Sequence, residues 1–398
     1  MNFKPFSTSR LPRLIYGSGS AKQLPSLIAQ YNAPVLLVTG SQSFQKTPHW
    51  DELIAEFHQS NTQWQHMQVR GEPSPTLVDQ AVQTYMSQKI GLVVAIGGGS
   101  ALDAAKAIAG LLPYGNSVLD HLEGVGKNIP YTGPALPFIA VPTTAGTGSE
   151  ATKNAVLSLQ GKDGYKKSFR HETLIPEYAI IDPDLLETCP AELIAADGMD
   201  AFTQLLESYV SSKSNPFSDA LAWSGLDAVK NGFIAAWQGG DTESAQQGRC
   251  AMAYAATLSG ITLAQVGLGS VHGLASPLGA YFPIPHGMVC GTLVAAATEM
   301  NIKALNARQP GHPALIKYAQ LGRFLADTNI ASDDQAHQAL IQRLNQWTEQ
   351  LGLKRLSQYG ISATDFDKII ANSRGSSMQT NPIVLTDDEI RKILQQRL

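Results

Sequence analysis

The chain of 398 residues contains only three cysteines, Cys189, Cys250 and Cys290, widely spaced and without a CxxC pair. Neither a disulfide framework nor a zinc site built on paired thiolates is expected from that pattern. No apolar run approaches the roughly 18 residues a membrane-spanning helix needs. The opening stretch MNFKPFSTSRLPRLIYGSGS also lacks the apolar core of a signal peptide. A reducing cytoplasm and no membrane partner are therefore expected. There is no basic block either: 29 Lys and Arg stand against 33 Asp and Glu, for a formal charge of -4. A nucleic-acid partner is thus excluded as an expectation, and a small molecule is favoured. No internal repeat and no low-complexity segment interrupts the sequence.

What is present divides into two characters. Up to about residue 184, short apolar runs alternate with amphipathic stretches of helical length, the pattern of a sheet with crossover helices. PVLLVTG (34–40), WQHMQVR (64–70), GLVVAIGGGS (91–100) and LPFIAVPTT (136–144) read as strands, with further extended candidates in NAVLSLQ, YKKSFR and YAIIDP. Beyond Asp184 long helical patterns follow one another, including SDALAWSGLDAVKNGFIAAW and AHQALIQRLNQWTEQLGL. The reading is a doubly wound α/β domain over residues 1–184 and an all-α domain over 185–398.

Two stretches carry the chemistry. GLGSVHGLASPLGAYFPIPHG (267–287) sets His272 and His286 fourteen residues apart among small and apolar residues with almost no other charge. Upstream, Asp200 and Gln204 stand at i and i+4, on one face of a helix. These four residues are candidate ligands for one divalent cation, the alternative for each histidine being an ordinary hydrogen-bonded interior residue. In the first half, GGGSALDAAKAIAG (97–110) follows a strand and opens a helix. Glycines let backbone approach a phosphate, and the free amides and dipole of a helix start favour its charge. The spacing is neither GxGxxG nor a Walker loop, so a tight turn packing helix on sheet stays open beside a phosphate cradle. PTTAGTGSE (142–150) leaves another strand with hydroxyls and glycines, at the strand end where nucleotides settle in such sheets, or as a simple polar turn.

Taken in order, GGGSALDAAK, PTTAGTGSE, DPDLLETCP, GMDAFTQLLESYVS, VHGLASPLGAYFPIPHG and NPIVLTDDEI resemble blocks of the iron-containing, or group III, alcohol dehydrogenases over essentially the whole chain. The resemblance implies a Rossmann-like nucleotide-binding domain followed by a helical metal-binding domain, the fold shared with dehydroquinate synthase. It implies that Gly97, Gly98, Gly99 and Ser100 hold the pyrophosphate of NAD or NADP, with Asp103 close by. Thr143, Thr144 and Thr147 would line the cofactor groove and Lys166 would approach the nicotinamide ribose. Asp200, His272 and His286 fall on metal-ligand positions for iron(II) or zinc. Homo-oligomers are also implied.

The sequence departs from the family in four places. Gln204 stands where a histidine usually completes the metal site, and its neutral amide is a poorer ligand. Ser276 replaces a second histidine of an HGxxH pattern. Gly40 and Ser41 occupy the turn where many NAD-preferring members place an aspartate, so NADPH is expected to be accepted at least as well as NADH. Arg374, Ser376 and Ser377 form an unusual loop that either holds an anionic substrate group or lies solvated on the surface; Asn154 either faces substrate or caps a strand. The expected activity is metal-dependent, NAD(P)H-linked interconversion of a small alcohol and its aldehyde or ketone, with Tyr281 and Phe282 compatible with a modest substrate. The competing readings are a dehydroquinate synthase-like lyase, which would need basic residues around a phosphorylated substrate, and a metal-depleted nucleotide-binding homologue without redox activity.

Overall fold

The computed structural model describes residues 5–122, 124–326 and 328–398. Eight strands run in chain order: β1 (Arg13–Tyr16), β2 (Val35–Thr39), β3 (Trp64–Gln68), β4 (Leu92–Gly97), β5 (Phe138–Pro142), β6 (Asn154–Leu159), β7 (Tyr165–Arg170) and β8 (Tyr178–Ile181). Six of them pair in parallel in the order β1-β8-β5-β4-β2-β3, while β6 and β7 form a separate antiparallel hairpin. The helices of this half are α1 (Leu24–Ala29), α2 (Pro48–Gln59), α3 (Pro75–Tyr85) and α4 (Gly99–Leu111).

The central strands VLLVT, LVVAIG and FIAVP are buried along their whole length. Such near-continuous apolar runs are what a parallel sheet covered on both faces requires. Side chains alternate between those faces. Leu36, Val38, Val93 and Ala95 join one core with residues of α3 and α4, and Val35, Leu37, Val94 and Ile96 join the other with residues of α1 and α2. The chain steps outward from β2 to β3 and then returns across β2 to β4. That reversal opens a crevice beyond the carboxyl ends of β2 and β4, where open α/β sheets bind their ligands. Gly40, Ser41 and the glycines 97–99 all stand there.

The second half is helical: α5 (Ala191–Val210), α6 (Pro216–Gln238), α7 (Glu243–Val266), α8 (Ser270–Tyr281), α9 (His286–Arg308), α10 (Pro313–Ala326), α11 (Asp333–Gln350), α12 (Phe366–Ala371) and α13 (Asp387–Gln396). One large apolar core, drawn almost wholly from residues beyond 194, holds them together. The sheet's two cores hold no residue beyond Leu185, and a small cluster of Ala179, Ile181, Leu186 and Ala253 joins the two halves. Among the described residues no single helix is long and apolar enough to cross a membrane; α7 and α8 meet that test only as a pair bent by 102°.

Two elements were not legible as regular structure. β1 is an exposed edge strand of four residues with no alternation to read. α8 takes up the stretch around His272 despite its glycines and Pro277, because its residues Ser270 to Ala275 are wholly buried and packing outweighs their poor helix propensity.

Candidate metal and cofactor site

Helix α5 presents Asp200, Gln204 and Glu207 at i, i+4 and i+7, a single buried stripe. Facing it, α8 brings His272 and the first turns of α9 bring His286 and Cys290, again at i and i+4. His272 Nε2 lies 3.0 Å from Asp200 Oδ1, and His286 Nε2 lies 3.9 Å from the same oxygen. Cys290 Sγ sits 3.6 Å from His272 Nε2 and 3.9 Å from His286 Nε2. The ligand atoms of Asp200, His272, His286 and Cys290 all fall within 4.8 Å of one another. Three of the four sequence-expected metal residues therefore converge, and a thiol joins them.

Gln204 is placed beside the cluster but with its amide turned. Its Oε1 accepts from Ser259 Oγ at 3.0 Å, and its Nε2 faces Asp200 Oδ1 at 3.5 Å. The oxygen expected to reach a cation is held by a hydroxyl instead.

Glu207 was missed in the sequence, although its place two turns after Asp200 and one after Gln204 was there to be read. Its carboxylate accepts from the backbone N–H of Gly269 (2.9 Å) and Val271 (2.7 Å), so it caps the start of α8. It also accepts from His272 Nδ1 at 2.7 Å. A carboxylate that takes the Nδ1 proton fixes the ring and leaves Nε2 to turn toward a cation.

The electrostatics fit a bound positive charge. Burial alone would push the Asp200 carboxyl up, but the two imidazoles and the Cys290 thiol outweigh it and pull it down to about 2. Burial would likewise lower His272, yet Cys290, Asp200 and Glu207 hold it well above its usual value. His286 goes the other way, lowered to about 4 by burial and by Lys166, so its ring is neutral at physiological pH, the form that binds metals. Its Nδ1 is buried without a hydrogen-bond partner, and its ring is the one ligand group with an opening to the cleft, 26% exposed. Burial drives Cys290 up to about 12, a cost that a coordinated cation removes, because a ligating thiol is deprotonated outright.

The cofactor side is built on the glycine turn. Gly98 precedes α4 and offers no side chain to cap it, which leaves the first amides of the helix free to face a phosphate. The glycines also answer a packing demand. A Cβ on Gly98 would lie 3.2 Å from Thr144 Cγ2, one on Gly99 only 2.7 Å from Thr147 Oγ1, and one on Gly97 3.0 Å from the backbone nitrogen of Gly40. The turn, the threonine loop and Gly40 thus close on one another around a single crevice.

The same loop touches the helical half. A Cβ on Gly146 would meet Asp197 at 2.8 Å, and one on Gly148, whose φ is +61°, would meet the backbone nitrogen of Gly260 in α7 at 2.4 Å. Burial and Asp200 raise the Asp197 carboxyl to about 7 against a hydrogen bond from Thr144.

Asp103 points into the fold. It accepts from Ser149 Oγ and from the Val156 N–H, and lies 3.6 Å from Lys106 Nζ. The Lys106 ammonium is fully buried and donates to Ser149 O (2.8 Å), Thr152 Oγ1 (3.0 Å) and Asn154 O (2.6 Å). Asn154 is thus engaged through its carbonyl, and Asp103 and Lys106 tie α4 to the threonine loop and β6. Lys166 on β7 donates to Glu72 Oε1 at 2.7 Å, and Ser276 Oγ donates to Lys166 O at 3.0 Å, which docks the hairpin on α8. Lys166 is near enough to His286 to lower its basicity, so this lysine does border the metal-ligand cluster. Arg374 donates to Leu385 O at 2.6 Å and pairs with Asp387, fastening the loop to the start of α13.

Comparison with known proteins places this geometry. Residues 12–183 match the model of the iron-containing alcohol dehydrogenases, and residues 194–398 match that of the C-terminal region of the same family. Alcohol dehydrogenase 4 of Schizosaccharomyces pombe is 30% identical over 98% of this chain and 89% of its own length. The NADPH-dependent butanol dehydrogenase of Clostridium saccharobutylicum is 28% identical over 97% and 96%. A crystal structure of 1,3-propanediol oxidoreductase superposes with a TM-score of 0.88 at 25% identity, covering 99% of this chain and all of that one. With both halves matched and the ligand residues gathered where the halves meet, the chain belongs to the iron-containing alcohol dehydrogenases, metal-dependent oxidoreductases of alcohols that use a nicotinamide cofactor.

Proposed function

We propose that this enzyme interconverts a small alcohol and its aldehyde or ketone, with NADPH accepted at least as well as NADH. The observation that carries this is the convergence of Asp200, His272 and His286 beside a crevice bordered by the glycine turn and the threonine loop. When bound, the cation supplies Lewis acidity toward the substrate oxygen and the nicotinamide supplies or takes the hydride. The chain's own residues do the positioning. Glu207 orients His272, the start of α4 faces the cofactor phosphates, and Thr143, Thr144 and Thr147 line the groove between them. Lys166 borders the cluster from the hairpin side. A lyase reading is not favoured, since this lysine is already paired with Glu72. Neither is a metal-depleted homologue, whose site would have no chemical need for the converging ligands.

Support for NADPH comes from the end of the sheet. Thr39 Oγ1 and Gln45 Nε2 contact His66 Nε2, Gln68 Nε2 donates to Gln45 Oε1, no carboxylate is among them, and Arg70 donates to Gln68 Oε1 at 3.4 Å. An arginine beside this turn suits a 2'-phosphate. Arg70→Ala is expected to raise KM for NADPH about 10- to 100-fold, the worth of one lost charge-assisted hydrogen bond, with KM for NADH nearly unchanged. Equal effects on both cofactors would place Arg70 elsewhere.

The function itself is tested with a panel of short aldehydes, NADH and NADPH, with added iron(II) or zinc and with chelator. Chelation should abolish aldehyde-dependent NADPH oxidation and metal should restore it. Oxidation unaffected by complete metal removal would end the reading. A cytoplasmic location and self-association belong to the same proposal. The exposed edge strand β1, with Leu14 41% and Tyr16 47% exposed, supports pairing between two copies, which light scattering measures directly.

A further inference from the structure

We propose that Cys290 is the fourth ligand of the cation, in a set of Asp200, His272, His286 and Cys290, with Gln204 outside it as a hydrogen-bond partner of Asp200. This rests on the reading of the cluster as a metal site and names its coordination.

Geometry is the first argument. A tetrahedral ion bonded at roughly 2.0–2.1 Å to nitrogen or oxygen and about 2.3 Å to sulfur sets its ligand atoms about 3.4 Å apart for N and O pairs and about 3.6 Å apart for N and S. The observed separations are 3.0 and 3.9 Å from the two imidazole nitrogens to Asp200 Oδ1, and 3.6 and 3.9 Å from the same nitrogens to Cys290 Sγ. The nitrogen–oxygen separations fall on either side of their expected edge, and the nitrogen–sulfur separations lie at and slightly above theirs. The 3.9 Å from His286 Nε2 to Asp200 Oδ1 is too long for a hydrogen bond, so direct hydrogen bonding does not account for the approach of that ring to the carboxylate.

Donor chemistry is the second. Gln204 directs an N–H donor toward Asp200 and commits its oxygen to Ser259, so it presents no lone pair to the centre. Cys290 is fully buried and rides on the same face of α9 as His286, one turn on. Charge is the third argument. An aspartate, two imidazoles and an amide around a divalent ion leave one net positive charge in a buried site. Replacing the amide with a thiolate makes the site neutral, which lowers the cost of burying it. On binding, the sulfur–metal bond forms as the S–H proton leaves to solvent, and no electron is transferred. Two imidazoles, a carboxylate and a thiolate in a tetrahedron favour zinc over magnesium or calcium.

The full-length protein, stripped with chelator and reloaded with cobalt(II), tests this by its spectrum. A sulfur-to-cobalt charge-transfer band in the near ultraviolet is expected in the wild type and in Gln204→Leu, and is expected to vanish in Cys290→Ser while Cys189 and Cys250 remain. Zinc affinity by calorimetry should fall in Cys290→Ser by more than the roughly 10- to 100-fold that loss of a ligand-orienting partner costs. Visible cobalt absorption without the charge-transfer band in the wild type, or a band that survives Cys290→Ser, would overturn the assignment. So would a Gln204→Leu protein unable to bind cobalt, which would return the amide to the coordination set. If Cys290→Ser does not fold, the wild-type and Gln204→Leu spectra still decide. A wild type that binds neither cobalt nor zinc would instead sink the metal reading as a whole.

Discussion

His272→Ala should abolish metal retention and lower kcat/KM by on the order of 1,000-fold, with secondary structure intact. Loss of a group that merely orients a ligand costs roughly 10- to 100-fold, so loss of the ligand itself must exceed that. The imidazole also bridges Asp200 at 3.0 Å and Glu207 at 2.7 Å. Alanine leaves two buried carboxylates facing a void, which adds repulsion to the lost coordination. Glu207→Gln separates the two effects. It keeps the shape and one of the two accepting oxygens, but removes the charge that steadies the ring and sets an N–H donor against one α8 contact, so its loss of activity should fall in the smaller, roughly 10- to 100-fold range. Elemental analysis, circular dichroism and a coupled activity assay on the three proteins check this. Metal bound stoichiometrically by His272→Ala would remove the ring from the ligand set.

The second large effect is on stability. Lys106→Met should destabilise the protein by about 3–5 kcal/mol, the usual cost of removing one partner from a buried ion pair. Methionine fills the same volume, so the loss is electrostatic. The ammonium lies between Asp103 and Glu150, both buried carboxyls that burial pushes up and this lysine pulls down. It also donates to Ser149 O and Asn154 O, which would keep only the longer contacts from Thr152. Urea unfolding measures the change, and weaker NADPH binding should accompany it because Ser149 belongs to the loop lining the crevice. A change below about 1 kcal/mol, the range of exposed ion pairs, would show that the site is wetter than its burial implies.

The buried strands and the crevice were legible in the sequence because each rests on a local signal, a short apolar run bounded by turn residues or a glycine turn at a strand end. The grouping of Asp200, His272 and His286 on one cation rested on the blocks that resemble the family, because an aspartate and two histidines in an apolar setting are as readily ordinary hydrogen-bonded residues. Three things were not legible, for physical reasons. Asp103 sits in the glycine motif, yet its partners lie 46 and 53 residues further along, on Ser149 and Val156. The Gln204 amide could be placed on the right helix face, but which of its ends points inward depends on Ser259 of another helix. Cys290 was set aside because cysteine sites are sought in pairs. The spacing from His286 to Cys290, one helical turn, was the available clue, and only the fold makes it meaningful.

The threonine loop is a surface connection by topology, of the sort that normally accepts length changes between relatives. Here it cannot. Within eight residues it seats Thr144 and Thr147 against the glycine turn, Gly146 against Asp197, Gly148 against Gly260, and Ser149 against Lys106. One inserted or deleted residue would throw every one of these out of step at once. In natural variants and grafted chimaeras of this enzyme the segment from 143 to 154 should therefore keep a constant length, since Thr152 and Asn154 are held by the same lysine.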